Sequence, residues 1–351
     1  MSEAMDNQLF TTMAAATAAD EVAALLWTHY RLRGDSSKLN SERDENFHIR
    51  ADDGREYVLK LSHPAEDRAV TDFQTRALLH AIQRDPGLPI PQVIARQDGA
   101  PYGVVAMRDG SQRVLRLLSF LHGQPLHQVS RSEAQRRQLG HTLARLNVAL
   151  SDFSHPAASH RLLWDIQHSQ DLAPLLQATP AGAKRDALAS WLAHFDSALR
   201  PTLAGLRRQV IHNDMNPYNV LVGADGVSTA GIIDFGDMVH APLVDELAVA
   251  CSYQLSEQAN PLDSAGEVIA AYHAVNPLTA QEVGLLYDLI LTRLCMTVTI
   301  TGWRAVKYPE NSSYILRNHG LSWDGMQRLL AMGRPQAQAY LHAVCGTKGQ
   351  A

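Results

Sequence analysis

The stretch VIHNDMNPYNVLV, residues 210–222, limits what this chain can fold into more than any other. It places His212, Asp214 and Asn219 in the pattern H-x-D-x-x-x-x-N, in a polar turn between two short apolar runs. Short apolar runs bounded by turn residues are typical of buried strands. Asp234 follows Asn219 by about fifteen residues, at the end of another apolar run in GIIDFGD. The pattern predicts two strand–turn segments that bring three oxygen-bearing side chains together.

Phosphoryl transfer needs this combination of groups. A triphosphate is strongly anionic, and the Mg²⁺ that neutralises it prefers oxygen ligands, so Asn219 and Asp234 are candidate metal ligands. An acceptor hydroxyl needs a nearby carboxylate to take its proton, and Asp214 is the candidate base. The catalytic loop of protein kinases has the same order of residues, and on that analogy His212 orients the loop. A chance match is the alternative, but the strand context and the following IIDFGD argue against it.

Two features nearer the N-terminus are candidates for binding nucleotide. Lys60 ends the apolar run YVLKL, as a lysine ends the V-A-I-K strand of kinases, and an ammonium there can reach phosphates. The alternative is a surface lysine at a strand end. The polar loop 39–47 has no G-x-G-x-x-G, but Asn40, Ser41 and Asn46 in it can bind phosphates through side chains or backbone N–H groups. A solvated hairpin is the alternative there.

Hydrophobic periodicity predicts an α+β fold with a sheet-rich region followed by a helical one. The first region should begin with a helix at 14–31 that ends at a turn at Gly34-Asp35, followed by strands at 46–51 and 56–62 that flank a hairpin turn at Asp52-Asp53-Gly54. A helix at 68–84, a pair of strands at 93–96 and 103–107, and a strand at 112–121 should follow. The second should contain helices at 130–151 and 186–206, strands at 209–212, 220–222 and 231–234, and mainly helices from 243 onward. We therefore expect an N-terminal lobe at 1–118, a hinge at 119–123 and a C-terminal helical lobe at 124–351.

Charge and cysteine usage exclude several classes of function. The 351 residues include 31 basic and 36 acidic ones, a formal net charge of −5, which argues against a nucleic-acid partner. The three cysteines, Cys251, Cys295 and Cys345, are odd in number and widely spaced, which argues against a disulfide framework. Each is predicted to be a small buried apolar group rather than a nucleophile. A reducing cytoplasm is the compartment that this composition favours.

Neither residues 1–10 nor the most apolar stretch of the chain predicts membrane insertion. Residues 1–10 carry acids and lack the basic region of a signal peptide. The apolar stretch 284–303 is interrupted by Asp288 and Arg293, so a buried helix is the better interpretation. We expect no membrane partner.

The motif residues resemble those of the aminoglycoside phosphotransferase/choline kinase family, which shares the protein-kinase-like fold. The run PLVDELA, 242–248, also looks like that family's helix start, where Asp245 is predicted to cap the helix. A closer likeness is to hydroxylysine kinase and to kinase domains fused to class III aminotransferases. That likeness covers nearly the whole chain and rests on LNSERDENF (39–47), FQT (73–75), RLLSFLHG (116–123), LWD (163–165), PEN (309–311) and Tyr314.

The resemblance implies that nucleotide lies between the lobes, with its base against the connector, so that Ser119 and Leu121 are candidate contacts. It also implies Mg²⁺ as cofactor and GTP or ATP as co-substrate, GTP being favoured by hydroxylysine kinases.

One departure from the kinase pattern concerns the partner of the strand lysine. Gln74 stands where protein kinases place a helix glutamate. Lys60 is then expected to pair with Glu66, Asp67 or Glu42, or with phosphate alone.

The acceptor residues should come from the helical lobe. An amino-acid alcohol needs acids for its ammonium and an arginine for its carboxylate. Asp237 and Glu246 are candidates for the ammonium, Arg304 for the carboxylate, and Trp164 with Asp165 for a wall of the site. A packing aromatic or a structural ion pair is the alternative for each.

The expected function is a small-molecule hydroxyl kinase, with 5-hydroxylysine as the best acceptor. Aminoglycosides, choline or ethanolamine, and homoserine remain open within the same family. A nucleotide-binding pseudokinase that serves as an interaction module is the alternative from another class, and the intact Lys60, Asp214, Asn219 and Asp234 argue against it. The expected partners are a small amino alcohol and a nucleoside triphosphate, and the sequence carries no signal of oligomeric state.

Overall fold

The computed structural model of the protein describes residues 16–41 and 44–346. They divide into two compact units. Unit 1 runs through His122 and includes His155–Ala157, and unit 2 comprises Gly123–Ser154 and the residues from Ala158 onward. Unit 1 is built on an antiparallel sheet and unit 2 is mainly helical, which confirms the predicted order of a sheet-rich region and a helical one.

Unit 1 combines helices with one antiparallel sheet. Its elements are α1 (Ala19–Tyr30), β1 (Gly34–Leu39), β2 (Glu45–Ala51), β3 (Glu56–Leu61), α2 (Arg68–Arg84), β4 (Val93–Ile94), β5 (Gly103–Ala106) and β6 (Gln112–Ser119). The strand order is β1-β2-β3-β6-β4, and β5 pairs with the other part of β6. The hairpin predicted around Asp52-Asp53-Gly54 joins β2 to β3 and is confirmed.

The pattern of side chains explains these elements. In β3 buried residues alternate with half-buried ones, so Leu59 and Leu61 join the core on one face while Lys60 lies on the other. Helix α2 begins after Asp67, whose carboxylate accepts a hydrogen bond from the Ala69 N–H as an N-cap. Its apolar stripe includes Phe73, which is completely buried.

Three predictions for unit 1 need correction. The polar segment Gly34–Leu39 is a strand on the sheet edge, although the sequence predicted a turn at Gly34, because its pairing with β2 needs no apolar side chains. Strands β4 and β5 each pair with β6 rather than with one another. Helix α1 begins at Ala19, and the predicted start at 14–15 lies outside the described residues, as does the stretch 1–10.

Unit 2 places short strand pairs among helices. It contains β7 (Gln124–Pro125), α3 (Glu133–Ala149), α4 (Ala183–His194), β8 (Arg208–Ile211), β9 (Val220–Val222), β10 (Thr229–Ile232), β11 (Val239–Pro242), α5 (Leu243–Ser252), α6 (Asp263–Val275), α7 (Ala280–Lys307), α8 (Ser312–Ile315), α9 (His319–Met332) and α10 (Arg334–Val344). Strand β9 lies between β10 and β7, and β11 pairs with β8. A long 3₁₀ segment, Ile166–Ala178, precedes α4.

Helix α7 is the central helix of unit 2. It begins with a capping box in which Thr279 and Glu282 bond each other's backbone N–H groups. The helix is long and apolar enough to cross a membrane, but 89% of its most apolar window is buried inside the protein. Asp288 and Arg293 in it are buried as well. The predicted buried helix is therefore confirmed, and so are the buried, unpaired states of the three cysteines.

Candidate active site

The turn between β8 and β9 holds Asp214 through two amide side chains. Asn216 and Asn219 each donate from Nδ2 to Asp214 Oδ2 at 2.8 Å. Asn219 also donates to the backbone oxygen of Asp214 at 3.0 Å, and Asn216 Oδ1 accepts from the Tyr218 N–H at 2.8 Å. Because these bonds are all local, the turn fixes the direction of the carboxylate.

His212 ties this turn to the segment that follows β10. Its ring is fully buried, Nδ1 accepts from the Asp214 N–H at 3.3 Å, and Nε2–H donates to the Ile233 oxygen at 3.0 Å. Its edge meets the Phe235 ring, with centroids 4.7 Å apart. The buried imidazole therefore links the two segments and leaves neither ring nitrogen for proton transfer.

Asp234 comes directly after β10 and is brought next to Asn219 by the backbone. The Ile233 N–H donates to the Asn219 oxygen at 2.9 Å, which continues the pairing of β10 with β9. Asp234 has φ of 61°, in the left-handed region that non-glycine residues rarely adopt. Its side chain is exposed while the next residue, Phe235, is buried. This strained conformation turns the carboxylate outward.

Glu246, from the first turn of α5, accepts hydrogen bonds from the backbone of the turn between β8 and β9, the predicted catalytic turn. Its Oε2 accepts from the His212 N–H at 2.5 Å and its Oε1 from the Asn213 N–H at 3.2 Å. The Asn147 amide adds a longer bond to Oε2, at 3.4 Å. The side chain has no exposure, and burial raises the pKa of Glu246 above its usual value. Glu246 therefore shapes the turn. The sequence had suggested a different role, in which Glu246 faces a substrate ammonium.

The neighbouring Asp245 does not cap its helix, so that prediction is wrong. The N-cap position of α5 is Pro242, whose side chain has no polar atom that could accept a capping hydrogen bond. Asp245 is fully buried, and neither carboxylate oxygen has a hydrogen-bond partner in the described part of the chain. Burial, and then the nearby Asp165, raise the pKa of Asp245 well above its usual value.

Arg293 is a site residue that the sequence analysis missed. Its Nη2 lies 3.4 Å from Asp214 Oδ1, and its Nη1 donates to the Trp164 oxygen at 2.7 Å. The guanidinium also lies over the Trp164 ring, 4.8 Å from the centroid, and only 1% of the side chain is exposed. The signal was present, because a charged residue in an apolar helix is rarely buried unless it has a partner.

The carboxylate of Asp214 is held in acidic surroundings. Burial and then the nearby Asp237 raise its pKa, Asp234 raises it further, and Arg293 opposes them, for a value of about 6. A carboxyl group with this pKa is ionised at neutral pH and takes up a proton more readily than an ordinary aspartate. The site can therefore accept a proton from a hydroxyl close to it.

The candidate acceptor residues are placed unevenly. The charge of Asp237 raises the pKa of Asp214, and Trp164 contacts Arg293. Asp165, by contrast, is buried and accepts hydrogen bonds from Gln167. The predicted Arg304 is half-buried on α7.

A different arginine, Arg317, lies against the catalytic turn. Its guanidinium is 4.8 Å from the ring centroid of Tyr218 and 3.8 Å from that of Tyr314. His127 stacks on the same Tyr218 ring, with centroids 3.9 Å apart. Arg317 is therefore a second candidate for a substrate carboxylate, which no sequence motif indicated.

Lys60 in unit 1 forms its ion pair with a residue that was not among the predicted partners. Its Nζ lies 3.7 Å from Asp44 Oδ2. Asp67 caps α2 instead, and Glu42 lies outside the described residues. Gln74, at the expected glutamate position, accepts a hydrogen bond from Arg116 Nη2 at 3.1 Å.

The other nucleotide candidates lie in unit 1 as well. Asn40 and Ser41 are exposed beyond the end of β1, and Asn46 is half-buried within β2, opposite Lys60. Ser119 ends β6, where its N–H donates to the Gln92 oxygen at 2.9 Å and its hydroxyl oxygen accepts from the Gln92 N–H at 2.9 Å. Leu121 follows and is half-buried.

The oxygen atoms of Asn219 and Asp234 are of the type that Mg²⁺ prefers. The structure also explains the need for a cation, because Asp234 and Asp237 lie close enough to Asp214 for their charges to raise the pKa of Asp214. Within residues 16–41 and 44–346, no group of three or more His, Cys, Asp or Glu side chains can hold a metal alone. The residues therefore fit a cation that also takes oxygen ligands from a bound phosphate.

The pH dependence of the reaction gives a first test of this arrangement. Ionised Asp214 is the form that can act as the predicted base, so kcat/KM should fall as the pH decreases through about 6. Replacing Asp237 by Asn removes a like charge, which lowers the pKa of Asp214 and shifts the acidic limb to lower pH. The pH profile of kcat/KM for the two proteins measures this shift. An unchanged limb, or one at higher pH, would remove Asp237 from the surroundings of the base.

Comparisons with known proteins agree with this geometry. A family model described as "Phosphotransferase enzyme family" matches residues 37–282. Hydroxylysine kinase of Mus musculus is 28% identical over 317 residues, which cover 84% of this chain and 84% of that protein. Hydroxylysine kinase of Bos taurus is 26% identical over the same length and coverage. A homoserine kinase of Methylobacillus flagellatus is 29% identical over 243 residues, 68% of this chain and 69% of that protein.

Solved structures show the fold. A microcompartment-associated aminopropanol kinase gives a TM-score of 0.60 at 19% identity, covering 92% of this chain and 98% of its own. Amicoumacin kinase in complex with AMP-PNP, Ca²⁺ and Ami gives a TM-score of 0.59 at 13% identity, covering 92% of each chain. These likenesses confirm the predicted α+β kinase-like fold.

Proposed function

The chain belongs to the phosphotransferase enzyme family, and from that premise we propose that it transfers the γ-phosphoryl group of GTP or ATP to the hydroxyl of an amino alcohol. It is a phosphotransferase with a hydroxyl acceptor, like its hydroxylysine kinase relatives. The finer proposal is that the acceptor is 5-hydroxylysine. The observation that carries the proposal is the fixed carboxylate of Asp214, held by Asn216, Asn219 and Arg293 in acidic surroundings.

In this mechanism Asp214 takes the proton of the acceptor hydroxyl as that oxygen bonds to the γ-phosphorus and the bond from phosphorus to the β–γ bridging oxygen breaks. Oδ2 is occupied by the amides of Asn216 and Asn219, and Oδ1 faces Arg293 at the longer distance of 3.4 Å. The Oδ1 atom is therefore the proton acceptor in our proposal. His212 and Glu246 act through the backbone, because their side chains bond the turn and not the reacting groups.

Asn219 and Asp234 would hold Mg²⁺ together with the phosphates, and the bound cation supplies charge neutralisation for the triphosphate. Lys60 would contact a phosphate, and Ser119 and Leu121 would face the base. These assignments are supported by the oxygen ligands, by the outward-facing carboxylate of Asp234 and by the strand position of Lys60.

The negative charge near Asp214 favours an acceptor that carries an ammonium group. Asp237 lies close enough to raise the pKa of Asp214, so an ammonium bound to Asp237 would lie near the base. Hydroxylysine relatives match 84% of the chain and the homoserine kinase relative 68%, which favours hydroxylysine. Homoserine kinase is the second candidate, because its printed identity of 29% is of the same size.

A screen of amino alcohols and aminoglycosides tests the proposal, each acceptor being supplied with ATP and with GTP in the presence of Mg²⁺. We expect the largest kcat/KM for 5-hydroxylysine, with homoserine well below it. A preference for homoserine or an aminoglycoside would replace the acceptor, and nucleotide binding without turnover under every acceptor would favour a pseudokinase.

Two arginine variants identify the group that binds the substrate carboxylate. If Arg304 binds the substrate carboxylate, Arg304→Ala should raise the acceptor KM by about 10-fold to 100-fold with little change in the nucleotide KM. Arg317→Ala is the matched variant, because the Arg317 guanidinium packs against Tyr218 of the catalytic turn. Steady-state KM values for acceptor and nucleotide decide between them. Equal effects of Arg304→Ala on both substrates would remove Arg304 from the acceptor site.

A further inference from the structure

Three polar side chains form a row across the sheet of unit 1. Asn46 on β2 lies directly opposite Lys60 on β3, and Lys60 lies directly opposite Arg116 on β6. Residues directly opposite one another in antiparallel strands point to the same face of the sheet. The row therefore places an amide and two cations side by side.

Two cations in such a position are unusual. Like charges directly opposite each other destabilise a sheet, and here 14% of the Lys60 side chain and 5% of the Arg116 side chain are exposed. Arg116 is held by donating to Gln74 Oε1 at 3.1 Å and to Thr75 Oγ1 at 3.4 Å. Both of these partners are neutral groups of α2, and they orient the guanidinium.

Asp44 is shared by the two cations without a close contact to either. Its Oδ2 lies 3.7 Å from Lys60 Nζ and 4.0 Å from Arg116 Nη2, whereas a charge-assisted hydrogen bond has a length of about 2.7–2.9 Å. Its Oδ1 accepts from the His63 N–H at 3.2 Å. In the same row the Asn46 Oδ1 atom is buried without a hydrogen-bond partner in the described residues. The row is thus oriented, and neither of its cations makes a short hydrogen bond to Asp44.

We propose that Arg116 is a second phosphate-binding cation beside Lys60, and that Asp44 occupies the position of the phosphate group until nucleotide binds. The inference rests on the proposed function, since the ligand is the phosphate chain of a nucleoside triphosphate. A phosphate oxygen can accept hydrogen bonds from both cations. The triphosphate chain also carries more negative charge than one carboxylate. Asp44 therefore competes with the nucleotide and moves away from the cations when it binds.

The test compares the affinity for a triphosphate with that for the nucleoside alone. Dissociation constants of ATP, GTP, adenosine and guanosine are measured by calorimetry for the wild type, Arg116→Met and Asp44→Asn. Arg116→Met should weaken triphosphate binding by about 10-fold to 100-fold and leave nucleoside binding unchanged. Asp44→Asn should tighten triphosphate binding by about 3-fold to 10-fold, because a competing charge is removed.

Matched variants separate these effects from a general loss of structure. Arg113 lies on the same strand three residues away, so it points to the opposite face and pairs with Glu45 at 2.6 Å. Arg113→Met should leave the ratio of triphosphate to nucleoside affinity at its wild-type value. Arg116→Lys should recover part of the affinity that Arg116→Met loses, because it keeps the charge but not the bonds to both helix partners.

The outcomes are distinct. Triphosphate affinity that is unchanged in Arg116→Met, or weaker in Asp44→Asn, would overturn the inference. If Arg116→Met does not fold, Asp44→Asn decides alone, since a role for Asp44 in supporting Lys60 predicts weaker binding and competition predicts tighter binding. Tighter binding in Asp44→Asn without phosphorylation of any acceptor would support the inference and defeat the proposed function.

Discussion

Asp214→Ala is expected to lower kcat by about 10²-fold to 10⁴-fold while nucleotide still binds. The variant removes the group that we propose takes the proton of the acceptor, and it leaves Lys60 and Asp234 in place. The Asn216 and Asn219 amides lose their shared acceptor Oδ2, but both side chains keep bonds to the backbone of the turn. The measurement is kcat for the best acceptor together with the dissociation constant of the nucleotide.

Asp214→Asn is the control for this experiment, because it keeps the size of the side chain and removes its basicity. It should lose nearly as much activity as the alanine variant. Turnover close to that of the wild type in either variant would contradict the assignment of Asp214 as the base. Equal losses of turnover and nucleotide affinity would mean that the turn itself had been disrupted.

Glu246→Ala is expected to lower both stability and activity. It leaves the buried N–H groups of His212 and Asn213 without their acceptor, and each orphaned group costs about 1–3 kcal/mol. The free energy of unfolding should therefore fall by about 2–6 kcal/mol, as measured by denaturant titration. Because the same N–H groups set the path of the turn, kcat should fall even in the fraction that remains folded.

Asp245→Asn is the matched control, one residue away and equally buried. The pKa of Asp245 is raised in the folded protein, so its stabilising effect is complete at low pH and is lost as the pH rises above the ordinary value for aspartate. Asparagine does not ionise, so the variant should gain stability relative to the wild type as the pH rises above the ordinary value for aspartate. A loss of stability in Asp245→Asn as large as that in Glu246→Ala would show that burial, and not the two hydrogen bonds of Glu246, decides the result.

The catalytic turn could be predicted from the sequence because its geometry is local. His212, Asp214, Asn216 and Asn219 lie within one short segment, and the apolar runs on both sides fix where it begins and ends. The long elements α2 and α7 were predicted for the same reason, since a regular apolar pattern of sufficient length specifies a helix.

The residues that support the turn could not be found in this way. Glu246 and Arg293 reach it from 34 and 79 residues away in the sequence. Their roles depend on how helices pack, which local spacing does not encode. The edge strand Gly34–Leu39 was missed for a related reason, because it is polar and its position depends on pairing with β2.

The partner of Lys60 shows the same limit within unit 1. The sequence offered Glu66 and Asp67, in the turn that follows β3, and Glu42, in the loop before β2. The observed partner, Asp44, is instead placed by the pairing of β2 with β3, which brings the residues before β2 beside the end of β3. Cross-strand register, rather than sequence distance, decides this contact.

The most direct test of the proposed phosphoryl transfer is a product analysis with 5-hydroxylysine, Mg²⁺ and GTP or ATP. Mass spectrometry of the acceptor and chromatography of the nucleotide should show one phosphorylated hydroxylysine for each nucleoside diphosphate formed. Both products should form at a rate lower by about 10²-fold or more with Asp214→Asn. Nucleoside diphosphate released with no phosphorylated acceptor, or equal product with Asp214→Asn, would contradict a transfer in which Asp214 takes the proton of the acceptor hydroxyl.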